Sequence, residues 1–411
     1  MWGTTANGGA SNCGTAFKTA VNGKPTRVLA FNCTDGDEAQ GLTLGTDGSY
    51  YGVTESGGSY NGGTVFKLSL KGELTVLYNF TVEGSTGYEA VGSLVQGIDG
   101  NFYGATFGGG SPPGYGNGTL FKITPSGTLT TLYMFDFTHG AQPQAGPIQD
   151  TDGNFYGTTN RGGTYGGGTV YKMTPKGVLT VLYNFGGSDG SPAFAGLIQD
   201  ADGNFYGTTS YGGPDNDGAV FKITPKGAFT ILHTFAETDG RSPAGLMRAT
   251  DGNFYGTTGY GGVNDSDGTI FEMTPAGEVT TLHNFDGTDG ANPIMMIQDT
   301  SGTFYGITGG GGDLNCDPTY GCGTVFSLAT GLSPFVEAVP TMGNVGTTVT
   351  ILGTNLEDAT SVSFNETAAT FTVISSSEIT TAVPSGATTG HVKVTTKSGT
   401  LLSNVLFRVK K

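Results

Sequence analysis

One phrase returns along this chain at a nearly fixed interval, and it constrains the fold more than any other feature. DTDGNFYGTT at 150–159 recurs as DADGNFYGTT (200–209), ATDGNFYGTT (249–258), GIDGNFYGAT (97–106), GTDGSYYGVT (45–54) and DTSGTFYGIT (299–308), with a truncated WGTT at 2–5. The aromatic residue before each glycine, namely Trp2, Tyr51, Tyr103, Tyr156, Tyr206, Tyr255 and Tyr305, advances in steps of 49, 52, 53, 50, 49 and 50. Seven copies at such a period make an array of structural units. Within residues 195–235 one copy reads AGLIQDA, NFYGTTS, GAVFKIT and AFTILHTF, four short segments rich in β-branched and aromatic residues. Four strands per unit is what a propeller blade requires. The 74 glycines lack a collagen period and accompany 25 Phe and 18 Tyr, which suits many short strands joined by tight turns. The expectation is an all-β fold: a seven-bladed β-propeller of four-stranded blades over 1–333, then an Ig-like β-sandwich over 334–411.

The turns carry their own reasons. Asp47-Gly48, Asp99-Gly100, Asp152-Gly153, Asp202-Gly203 and Asp251-Gly252 separate the first and second segments, and Asp-Gly suggests a two-residue type I′ hairpin. Thr224-Pro225-Lys226-Gly227, with counterparts at Pro125, Pro175 and Pro275, joins the third and fourth: Pro presets φ and Gly takes the left-handed position. Asp200 and Asp202 are therefore read first as turn residues, since no further acid follows at the spacing of a calcium loop.

Strand alternation puts these tight turns at one end of every sheet and the long connections at the other. Loops at 57–63, 108–118, 162–168, 211–218 and 260–268 offer Tyr60, Tyr115, Tyr165, Tyr211 and Tyr260, and the connections between units offer Asp189, Asp239 and Asp289. Tyrosines flanked by Gly and polar residues stack on sugars or bury against a protein, and acids accept from hydroxyls. Asp215, Asp217, Asp265 and Asp267 are the candidates for a cation, calcium being the one implied; no other cofactor is expected. Gln96, Gln149, Gln199, Arg248 and Gln298 share one position of the first segment and are expected to line a channel.

Charge and composition narrow the partners. With 18 basic against 34 acidic residues and a formal charge of -16, the surface repels nucleic acid and anionic membranes. No run of 18 apolar residues exists to span a bilayer. No leader precedes the first repeat, so the natural beginning is expected upstream of Met1. His233 and His283 replace Tyr78, Tyr133 and Tyr183 in the fourth segment, an aromatic packing slot, and no triad or histidine cluster is set out by spacing. Cys13 and Cys33 fall at adjacent ends of antiparallel segments, and Cys316 and Cys322 close a short loop; two disulfides imply an oxidising, extracellular or cell-surface setting. First and fourth segments number six against seven second and third segments. The first unit thus lacks its leading strand and the last its closing one, for which SPFVEAV (333–339) is a candidate. Self-assembly through the incomplete first blade is a further expectation.

After residue 333 the period stops and alternating strands follow for about 75 residues. The residues Pro340, Gly343, Gly346, Thr347, Val349, Thr350, Ile351 and Gly353 to Leu356, followed by VSFN and VPSGATTGHVKV, resemble an IPT/TIG domain. The pattern DGxxYGTTxxGG...GTVFKxTPxGxxTxLxxF over 1–332 resembles the Gloeobacter/Verrucomicrobia-type tandem repeat of bacterial extracellular proteins. These resemblances imply the fold and an extracellular setting, with IPT/TIG modules acting as spacers or binding modules in surface receptors and carbohydrate-handling proteins. The functional expectation is a non-catalytic protein that binds a glycan or an extracellular protein through the long-loop face. Its alternatives are a polysaccharide-acting lyase or hydrolase and a structural, self-assembling protein.

Overall fold

The computed structural model describes residues 2–18, 26–82, 85–110, 116–190, 196–263, 267–315 and 319–410. Among them, the repeat region forms five four-stranded antiparallel sheets and, at its two ends, two three-stranded ones. Each is a meander in chain order, as in a propeller blade. One complete sheet runs Ile148–Gln149, Phe155–Thr159, Thr169–Met173 and Leu179–Asn184. The chain divides into two compact units, residues 1–199 with 204–234, and 200–203 with 235–411.

The Phe-Tyr-Gly motif is explained by alternation and by packing on both faces. Successive side chains of a strand point oppositely, so the Phe meets one neighbouring sheet and the Tyr the other. Tyr51 packs on Phe102 with ring centroids 3.9 Å apart, Tyr103 on Phe155 at 4.0 Å, Tyr156 on Phe205 at 4.2 Å and Tyr255 on Phe304 at 4.4 Å. Each such pair adds about 0.5–1.5 kcal/mol beyond the area it buries. Glycine follows because an aromatic ring of the third strand lies over it: a Cβ at Gly52 would sit 2.5 Å from the Phe66 ring, and one at Gly207 2.6 Å from that of Phe221. A bulge between Val170 and Tyr171 shifts the register of the third and fourth strands, and the same bulge recurs at Val65/Phe66, Leu120/Phe121, Val220/Phe221 and Ile270/Phe271.

Two local expectations change. The Asp-Gly turns are not type I′, because Asp152 and its counterparts are absent from the residues with positive φ. Gly153 N–H donates to the Asp150 carbonyl and Asp150 N–H to that of Asn154, each at 2.9 Å, with Gly153 at φ +79°. This three-residue loop needs one left-handed residue rather than two. Nor does SPFVEAV close the last repeat sheet: Glu337–Val339 pairs with Thr350–Leu352 of the C-terminal sandwich. That sandwich packs two four-stranded sheets around Val349, Ile351, Val362, Phe364, Ile379, Val392 and Val394. Cys13 and Cys33 form a disulfide across a Cα separation of 5.3 Å. Cys322 is disulfide-bonded too; Cys316 lies outside the described residues. Among the described residues no helix is long and apolar enough to cross a membrane.

Candidate functional site

The tight-turn end accounts for most of the recurring polar residues. Asp47, Asp99, Asp152 and Asp251 each accept a hydrogen bond from the hydroxyl of the buried repeat tyrosine, Tyr51, Tyr103, Tyr156 and Tyr255, at 2.9 Å. Lys172 Nζ then lies 2.8 Å from Asp152 and 5.3 Å from the centre of the Tyr156 ring, and Lys67 repeats the arrangement with Asp47 and Tyr51. Burial, joined by the Asp152 carboxylate, pushes the Tyr156 hydroxyl up to about 12. Burial works against ionised Asp152, yet Lys172, Asn154 and Tyr156 together hold its carboxyl below the usual range. The glutamines expected to line a channel clasp the turn of the preceding repeat. Thr46 N–H donates to Gln96 Oε1 at 2.9 Å, Ile98 N–H to Gln149 Oε1 at 3.0 Å, and Gln199 donates to Asp150 at 2.8 Å. Arg248 replaces the amide with an ion pair to Asp200 at 3.1 Å.

At the other end, side chains of the fourth strands set the loops in place. Asn79 Oδ1 accepts from Ser59 N–H at 2.8 Å, Asn184 Oδ1 from Thr164 N–H at 2.8 Å and Asn284 Oδ1 from Val263 N–H at 3.0 Å. Beneath most of these loops two buried threonines meet, as Thr54 with Thr64 and Thr159 with Thr169 at 3.0 and 2.9 Å. Thr169 Oγ1 donates onward to the carbonyl of His139 in the preceding connection. On this netted base Tyr60 is 62% exposed, Tyr165 72% and Tyr211 47% in the first unit, and Tyr260 is 44% exposed in the second. Tyr165 lies against Gly186, where any side chain would collide with it. Arg241 sits 5.6 Å from the centre of the Tyr260 ring. Tyr115 falls outside the described residues. The sequence reading missed Tyr320, 74% exposed in the last long loop, because it stands 15 residues after Tyr305, further along than Tyr60 and Tyr165 stand from Tyr51 and Tyr156.

The acids of this end divide by use. Asp189 accepts from the Tyr183 hydroxyl with one oxygen and from Gly186 N–H with the other. Asp289 takes His283 Nε2 at 2.7 Å and Asp286 N–H at 3.2 Å, and Asp239 takes Ala236 N–H at 2.8 Å. All three brace their own connections. Asp215 is exposed and Asp217 half-buried around Asn216, which caps Gly212 N–H; Asp267 is half-buried and Asp265 is outside the described residues. Among the described residues the one group of three potential metal ligands in mutual reach is Cys13, Cys33 and Asp37, and two of those are the disulfide sulfurs. A second acidic feature went unforeseen: Glu38 and Glu89, both at left-handed φ, flank Glu55. Burial, then Glu38 and Glu89, hold the Glu55 carboxyl above its ordinary value. No spacing signals this, since the three come from two repeats and three different strands.

The sequence profile of the Gloeobacter/Verrucomicrobia repeat matches residues 1–145 and 109–326, and that of the IPT/TIG domain matches residues 334–409. No curated protein sequence matches the chain. Three solved structures are similar to the chain at low identity. A Bacteroides uniformis protein assigned as a 6-phosphogluconolactonase is 17% identical, over 74% of this chain and 87% of its own, at a TM-score of 0.49. The extracellular domain of a Bacteroides thetaiotaomicron protein assigned as a hybrid two-component system is 11% identical, over 99% and 55%, at 0.47. A gluconolactonase from Xanthomonas campestris is 12% identical, over 70% and 86%, at 0.44. With the repeat profile spanning most of the sequence, the chain belongs to the Gloeobacter/Verrucomicrobia repeat family and carries an IPT/TIG domain behind its repeats.

Proposed function

We propose that this protein is an extracellular, non-catalytic binding protein that holds a glycan through the tyrosines of its long loops. The observation that carries this reading is the exposure of Tyr60, Tyr165 and Tyr211 in the long loops of three repeats, in a fold that buries the motif tyrosines Tyr51, Tyr103, Tyr156 and Tyr206. A ring held in water by a hydrogen-bonded loop offers an apolar face for a sugar at little cost in ordering. The acids that would have served a hydrolase are largely engaged in their own turns. The disulfide fits an oxidising compartment.

The test is a glycan array probed with the full chain, with and without calcium, followed by titration of the best glycan. Tyr165→Ala and Tyr211→Ala are expected to weaken binding about tenfold each, the equivalent of about 1.4 kcal/mol. Retention of an extracellular protein but of no glycan would move the reading to protein recognition. Release of soluble sugar over time would turn it into catalysis, and an effect of calcium would bring Asp215 and Asp217 into the site.

A further inference from the structure

The cations of the repeats are unevenly placed. Among the described residues the repeat lysines stand at the tight-turn end, Lys67, Lys172 and Lys222 over the rings of Tyr51, Tyr156 and Tyr206, and Lys71, Lys176 and Lys226 in the turns between third and fourth strands. Among the same residues the long-loop end carries two arginines. Arg241 is paired with Glu237 at 3.4 Å, whereas Arg161 is exposed and makes no ion pair or side-chain hydrogen bond with a described residue. In a chain with 34 acidic residues against 18 basic ones, a cation left without a partner is available to an anion from outside.

The backbone beside Arg161 brings two aromatic residues to the same place, all within the first compact unit. Arg161 and Ala141 exchange both backbone hydrogen bonds, at 3.0 and 2.7 Å, and Gly163 N–H donates to the Phe137 carbonyl at 2.7 Å, so the loop at 160–168 and the connection at 136–141 form one platform. On it Tyr165 is 72% exposed and Phe137 48%. Phe137 stands at φ +67°, at a position that two other repeats fill with Gly187 and Gly287. A bulky residue in the left-handed region costs free energy, and a half-exposed ring recovers little of it by burial. The one carboxylate of this connection, Asp136, is occupied by His139, through Nδ1 at 2.7 Å and the backbone N–H at 2.8 Å.

We infer that this platform takes a sugar bearing a single carboxylate, a uronate on an otherwise neutral glycan. The inference rests on the glycan-binding function proposed above and names the class of glycan. A guanidinium meets a planar carboxylate through two parallel N–H···O bonds, while the rings of Tyr165 and Phe137 offer apolar faces to the sugar and its neighbour. One unpaired guanidinium matches one carboxylate. A formal charge of -16 counts against a polyanion, whose further charges the chain would repel.

The test uses the full chain and an array on which each oligosaccharide bearing one uronate stands beside its carboxyl-reduced twin and a sulfated counterpart, with polygalacturonate as the polyanion. The uronate glycans should bind about tenfold more tightly than their reduced twins, and more tightly than polygalacturonate. Arg161→Gln should remove that difference while leaving the affinity for the reduced twins and the thermal unfolding midpoint unchanged, and Arg161→Lys should keep part of it. Phe137→Gly should weaken both twins alike. Equal binding of the twins, a preference that survives Arg161→Gln, or tighter binding of the sulfated counterpart or of polygalacturonate overturns this inference and leaves glycan binding standing. An array that retains no glycan removes both.

Discussion

The two ends of the repeat sheets use the same residue types for opposite purposes. At the tight-turn end the tyrosine ring is buried between sheets, its hydroxyl bonded to an aspartate that also meets a lysine. At the loop end the tyrosine ring stands in water and the nearby aspartates close their own turns. Ionisation does not divide by end: Asp47, Asp99 and Asp152 at the tight turns and Asp136 and Asp286 in the loop-end connections are all held below the ordinary carboxyl range by hydrogen bonds to the groups around them, while at the loop end Glu55 and Glu89 are held above it by burial and by Glu38.

The most direct way to break this contrast is Asp152→Ala. It leaves the Tyr156 hydroxyl and Lys172 without their acceptor and removes the turn bond to Asn154 N–H, a loss of about 1–3 kcal/mol. Asp152→Asn keeps an oxygen for the turn and sheds only the partly exposed ion pair, at about 0–1 kcal/mol. The two should also differ from wild type in acid. Because the folded-state carboxyl of Asp152 lies below its ordinary 3.8, its contribution is present above that pH and is lost as pH falls through the lower folded value. Thermal unfolding from neutral pH down to pH about 2 should therefore narrow the gap between Asn variant and wild type. A gap independent of pH would refute the account.

The loop base offers a gain rather than a loss. Thr209 Oγ1 is buried with no partner, because the fifth repeat has Ala219 opposite it where others have threonine. Ala219→Thr restores the pair seen at Thr159 and Thr169, and is expected to stabilise by about 0.5–1.5 kcal/mol. Denaturant melts read it directly; an unchanged midpoint would mean that the alanine site has closed around the missing hydroxyl.

The architecture was legible because it repeats. A period near 50, four segments per period and Gly where a ring must pass overhead are local signals, and seven copies average out the noise in any one. What a single period conceals is the partner across a sheet or a junction. The role of Gln96 depends on Thr46, fifty residues away, and the role of Asp189 on whether Tyr183 reaches it; neither is written in the motif. How far Tyr165 stands exposed, against a buried Tyr156, is a property of neighbouring sheets. The hairpin type was misjudged for the opposite reason: Asp-Gly fits two loops, and the choice falls to the residues beside it.

Glu55→Gln sharpens the comparison through the raised carboxyls of the loop end. A carboxyl whose folded value exceeds its ordinary 4.5 favours the fold while protonated. That contribution is full below the ordinary value and is lost as pH rises through the folded one. The variant should melt above wild type at neutral pH, and its advantage should vanish once the medium is acid enough to protonate Glu55. Melting curves at the two pH values decide it, and an advantage that persists in acid would trace to packing instead.

The smallest expected effect separates a ligand-facing residue from a structural one. Tyr165 is among the most exposed large side chains of the chain, and its loop is fixed by backbone bonds to Asn184 rather than by the ring. Tyr165→Ser should therefore move unfolding free energy by no more than about 0.5 kcal/mol. Set beside Asp152→Ala in the same denaturant titration, a near-zero change would show that the ring is not retained for the fold. A loss approaching that of Asp152→Ala would mean instead that the ring, lying over Gly186, is itself a clamp on the loop, and the contrast between the two ends would fail there.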